Sequence, residues 1–110
     1  MAVLAPNDFS ARAIGDVFAT DKAVKSYVIT GQDADQASLA YISVGRQTMT
    51  VFKDTRVEAR DAITAALAFL THQTPIKNTV TNNGHADIPT YTSAVMVVDK
   101  SNIKTAINGK

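Results

Sequence analysis

Short β-branched runs alternate along this chain with amphipathic segments of helical length, and that alternation predicts an α/β fold: a largely parallel sheet with helices on both faces. Two observations support the class. Helical segments stop on breakers, Gly45 and Pro75, before the next apolar run begins. The 110 residues are 45% apolar, enough for one domain with a core that needs no metal or disulfide staple.

Taken in order, Ala2-Val3-Leu4-Ala5 reads as a buried strand ended by Pro6-Asn7-Asp8. Asp8 is suited to cap a helix over residues 9–20, where Ile14, Val17 and Phe18 share a face. After the Asp21-Lys22 turn, Ser26-Tyr27-Val28-Ile29-Thr30 predicts a second strand, stopping at Gly31-Gln32-Asp33. A helix over residues 35–44 follows, with Asp35 as cap, Leu39 and Ile42 inward and Gly45 at its end. Residues 47–53 form a third strand whose alternate side chains face opposite ways. Residues 56–72 are the strongest helix, with Val57, Ile63, Ala66, Leu67 and Leu70 as its apolar stripe. Residues 74–90 are polar and turn-rich, read as a long loop broken at Asn82-Asn83-Gly84 and Pro89. A last strand over residues 93–98 and a capping turn, Asp99-Lys100-Ser101-Asn102, lead to a short helix over residues 103–108. Right-handed crossovers follow from parallel pairing.

Composition excludes several functions. With no cysteine there is no thiolate zinc site, iron–sulfur cluster or disulfide framework. Eleven Lys+Arg against ten Asp+Glu give a net +1, and no basic run tracks a phosphate backbone, so nucleic acid is not an expected partner. The longest apolar run, residues 65–70, is too short for a membrane span, and the first six residues lack the pattern of a signal peptide. His72 and His85 have no carboxylate at metal-ligand spacing, and no nucleophile motif occurs, so neither a metal nor a cofactor is expected. Met49 and Met96 read as core filler.

In an open parallel sheet, ligands bind beyond the carboxyl ends of the strands. Those ends carry Asn7, Asp33 and Lys53. Asn both gives and accepts hydrogen bonds, Asp accepts, and Lys donates, a mixture that suits a ligand with several hydroxyls. A phosphate would need a glycine-rich loop or several cations instead. The plainer reading stands beside it: polar residues follow strands in most proteins, and Asn and Asp commonly cap helices.

The strings Pro6-Asn7-Asp8, Ile29-Thr30-Gly31-Gln32-Asp33-Ala34-Asp35 and Gln47-Thr48-Met49-Thr50-Val51-Phe52-Lys53 resemble sugar-binding proteins of ABC importers, the type I periplasmic binding proteins. Asn82-Asn83-Gly84, Ile88-Pro89 and the segment Asp99-Lys100-Ser101-Asn102-Ile103-Lys104 resemble that family's closing segment. The resemblance is nearest to the xylose binders, and it implies a pentose-like monosaccharide as ligand, bound by Asn7, Asp33 and Lys53. It also implies a permease partner, a periplasmic location and two lobes. On that reading the chain is a partial C-terminal lobe, without its first two β-α units and without the N-terminal lobe. Residues 2–5 would then be a bare edge, open to a second copy or a complementing lobe. Lys53-Asp54-Thr55-Arg56 departs from the family's usual Lys-Pro.

The effector-binding core of a LacI-type repressor shares this fold and is the alternative reading. An enzyme using Lys53 for a Schiff base would need a desolvated neutral amine, whereas Asp33 nearby favours the charged form, so catalysis is not expected.

Overall fold

The computed structural model describes residues 1–108. Its elements are β1 (Ala2–Val3), α1 (Asp8–Thr20), β2 (Val28–Ile29), α2 (Gln36–Ser43), β3 (Met49–Lys53), α3 (Thr55–Leu70), β4 (Thr79–Asn82), β5 (Asp87–Thr90), β6 (Val95–Asp99) and α4 (Ile103–Asn108). The alternation read from the sequence is therefore present, and the class is α/β. The chain forms two compact units: Met1–Phe52 with the residues from Val95 onward, and Lys53–Ala94. The second unit holds the helix and the hairpin that lie between β3 and β6 in the chain.

In the first unit β1 and β2 pair in parallel, Ala2 opposite Val28 and Val3 opposite Ile29. A parallel bridge between Gln32 and Val51 carries the pairing on to β3, which neighbours β6. Thr48 N–H donates to the Ile29 carbonyl and Val51 N–H to that of Gly31, so the joint is held from both ends. Two apolar clusters cover this sheet. Ala5, Ala11 and Ile29 are buried with Ile14, Phe18 and Tyr27 against them. Ala34, Leu39 and Val98 are buried with Phe52, Met96 and Ile103. Leu39 and Ile42 point inward as their spacing predicted, and Gly45 sits at φ +81°, where a Cβ is costly.

The second unit begins with α3, whose Asp54 cap accepts from Arg56 N–H. Its apolar stripe does not form a core: Leu70 is 76% exposed and Ile63 61%. The long loop expected over residues 74–90 is instead largely an antiparallel hairpin, with Thr79 opposite Thr90 and Asn82 opposite Asp87. Thr and Val supply the strand propensity, and the breakers Asn83 and Gly84 open its four-residue turn, residues 83–86. Asn83 Oδ1 accepts from His85 and Ala86 N–H, and Gly84 stands at φ +88°. Pro89 is tolerated because a two-stranded ribbon has only edges. No helix among the described residues is long and apolar enough to cross a membrane.

Candidate functional site

Parallel pairing of β1 and β2 sends both chains off the same end of the sheet, so residues 6–8 and 31–35 emerge side by side. Asp8 N–H donates to the Gln32 carbonyl at 2.9 Å, tying the two loops together. Asn7 and Asp33 thus lie on neighbouring loops at one end of the β1–β2 pair. Asn7 is half-buried and Asp33 exposed. Lys53, half-buried, is the last residue of β3 and the first of the second unit.

Asn7 rather than Asp8 caps α1, which corrects the cap expected from the sequence. Its Oδ1 accepts from Ser10 N–H at 2.9 Å, with the backbone extended at φ −155°. The cap uses the amide oxygen and does not use the nitrogen's two donors. Asp8 lies inside the first turn and is only 1% exposed. One carboxylate oxygen accepts from Gln47 Nε2 at 2.9 Å, the other from Asp35 N–H at 3.0 Å. Gln47 Nε2 also donates to the Met49 carbonyl, leaving Oε1 the one buried side-chain atom without a partner among the described residues. Reversing that amide would aim its oxygen at two acceptors, so the orientation is the better of the two. Gly31 makes the arrangement possible, since a Cβ there would run into both Asp8 and Gln47.

Asp35 caps α2, as expected, accepting from Ser38 N–H at 2.7 Å. Arg12 Nη1 reaches across from α1 to the same carboxylate and to Ser38 Oγ, at 2.6 and 2.7 Å. Partial burial would raise the Asp35 carboxyl, but the hydrogen bonds from Arg12 and Ser38 outweigh it and hold the group below its ordinary value. The same bond to Asp35 holds the Arg12 guanidinium above its own.

Between the two caps the backbone is strained. Asp33 has φ +106° and Ala34 φ +53°, both in the region that favours glycine. Such residues cost on the order of 1–3 kcal/mol each and persist only where the surroundings over-determine them. Here three successive amides are pinned: Asp33 N–H to the Val51 carbonyl at 2.9 Å, Ala34 N–H to Thr50 Oγ1 at 3.2 Å, and Asp35 N–H to Asp8. Neither the buried role of Asp8 and Gln47 nor this conformation had a signal in the sequence. An aspartate in a first helical turn looks ordinary there.

Over residues 1–74 the chain matches the periplasmic binding protein domain. It is 35% identical over 106 residues to the D-xylose-binding periplasmic protein of Escherichia coli (strain K12), covering 96% of this chain and 32% of that one. The multiple sugar-binding periplasmic protein SbpA of Azospirillum brasilense is 42% identical over 78 residues, 70% of this chain and 22% of the relative. Among solved structures, a carbohydrate transporter solute binding protein from Chloroflexus aurantiacus in complex with D-glucose superposes with a TM-score of 0.88 at 50% identity, covering 97% of this chain and 32% of that one. The chain therefore spans a third or less of the length of these relatives. With its parallel strands and the domain match over residues 1–74 taken together, this chain belongs to the type I periplasmic binding proteins.

Proposed function

We propose that this chain is part of the C-terminal lobe of a solute-binding protein that captures a monosaccharide outside the cytoplasm and hands it to the permease of an ABC importer. The single observation that carries the reading is the margin where Asn7 and Asp33 emerge together, one offering donors and the other a carboxylate. Lys53, the last residue of β3, is assigned as the third contact on the family resemblance of the segment Gln47-Thr48-Met49-Thr50-Val51-Phe52-Lys53. The role is binding without catalysis. The D-glucose in the Chloroflexus aurantiacus structure and the D-xylose in the Escherichia coli protein's name support a pentose or hexose pyranose as the ligand class, and a xylose-like pentose is the finer assignment.

Three polar side chains at an open margin supply much less than the roughly −8 kcal/mol of a micromolar complex, so this chain by itself binds weakly. Saturation-transfer NMR suits that regime. With D-xylose, D-ribose and D-glucose at millimolar concentration, transfer to at least one sugar and none to glycerol is expected. No transfer to any of the three would refute the reading.

Self-association is the second part of the proposal. Among the described residues β1 pairs with β2 alone, and Leu4, just beyond it, is 86% exposed. An uncharged open edge of this kind recruits another strand, here from a second copy or a complementing lobe. Sedimentation velocity is expected to show mass rising with concentration; a monomer throughout would refute it.

A further inference from the structure

We propose that Thr50 and Asp8 are positioning residues for ligand capture: they hold residues 33–35 in a strained backbone hook from which Asp33 presents its carboxylate to a sugar. The inference rests on the monosaccharide-binding reading above and adds what makes Asp33 competent for it. An aspartate at φ +106° followed by an alanine at φ +53° is a conformation the chain leaves unless it is held. Glycine at either place would remove the strain, yet neither residue is glycine. At position 33 a carboxylate occupies the strained site, and the surroundings carry the load.

The holding groups are themselves fixed. Thr50 is fully buried in β3 and accepts from the Ala34 amide. Asp8 is locked by Gln47 from the side opposite its bond to the Asp35 amide. Ala34 is fully buried against Leu39 and Val98, so the hook also grips the core beneath it. Backbone, hydroxyl and carboxylate acceptors thus come from two different elements onto three consecutive amides. A loop needed only to connect β2 to α2 has no use for such a set. A loop that must keep one carboxylate still before its ligand arrives avoids the ordering cost at binding.

The test uses the full chain with D-glucose and D-xylose as probes, together with amide exchange. Thr50→Val removes the acceptor at nearly constant shape. It is expected to speed exchange of the Ala34 amide at least tenfold, leave the Leu39 and Ile42 amides unchanged, and weaken sugar binding at least tenfold. Thr50→Ser, which keeps the hydroxyl, is expected to restore both. Asp33→Gly is expected to abolish binding while melting at a higher temperature than Asp33→Ala. Unchanged Ala34 exchange in Thr50→Val, a loss that Thr50→Ser does not rescue, or Asp33→Gly melting no higher than Asp33→Ala would overturn the proposal. Should the unsubstituted chain bind neither sugar, the functional reading falls, and the exchange rates alone then decide whether Thr50 holds the hook.

Discussion

Substituting Gly31 with alanine places a methyl group where there is no room for one. The glycine is buried, and the new Cβ would meet Asp8 Oδ1 and Gln47 Nε2, the two atoms that hydrogen-bond each other at 2.9 Å. Both side chains are about as buried as any in the chain, at 1% exposed, so neither can swing into solvent. Over-packing of this kind costs roughly 1–3 kcal/mol, and separating a buried hydrogen bond to a charged group costs roughly 1.5–3 kcal/mol more. A loss of about 3 kcal/mol or more is therefore expected, a large share of the roughly 5–15 kcal/mol that stabilises a domain. The control is Gly45→Ala, where nothing lies within 4 Å and φ +81° is the only obstacle. It is expected to lose about 1–2 kcal/mol. Urea unfolding followed by tyrosine fluorescence reads both, since Tyr27 and Tyr41 report on this unit. If Gly31→Ala is no more damaging than Gly45→Ala, the Asp8–Gln47 bond does not hold the site together.

Other outcomes follow from the same geometry. Asn7→Ser keeps a capping oxygen while deleting the amide donors, so stability is expected to change by only a few tenths of a kcal/mol whereas sugar binding falls at least tenfold; Asn7→Ala is expected to lose about 1 kcal/mol of stability as well. The Asp35 carboxyl is held below its ordinary value in the folded chain, so its contribution is full above about pH 4 and is lost as pH falls through the folded value. The stability gap between the unsubstituted chain and Arg12→Gln, read from urea midpoints, is accordingly constant from pH 5 to pH 8 and shrinks by pH 3; a gap unchanged at pH 3 would contradict the Arg12–Asp35 pairing. Leu70→Lys, at a side chain 76% exposed, is expected to cost less than about 0.5 kcal/mol, and a larger loss would mean that the α3 stripe is covered.

What the sequence disclosed divides along physical lines. Periodicity carried the helices, because Leu39 and Ile42 must face a core and Gly45 must end α2. Strand ends carried Asn7 and Asp33, because parallel pairing leaves little choice about where the chain emerges. The cap of α1 was misplaced by one residue, since Asn7 and Asp8 are both good capping residues and only the fold decides which one turns inward. The hairpin over residues 79–90 carries the sequence pattern of a loop because strands with no buried face show no alternation to detect. Hydrophobic spacing identified the α3 stripe but could not show that it lies open. The strain at Asp33 and Ala34 was invisible for a different reason. It is imposed by Val51, Thr50 and Asp8, residues near and far in sequence, and leaves no local mark.

The most direct measurement is a two-dimensional amide NMR titration of the chain with D-xylose and, separately, D-glucose. Saturable shifts confined to the amides of Asn7, Asp33 and Lys53 and their neighbours, with the Asn83–Gly84 turn silent, are predicted. Shifts that leave those three positions unmoved, or that scatter over both units without saturating, would contradict the assignment of this margin as a sugar-binding surface.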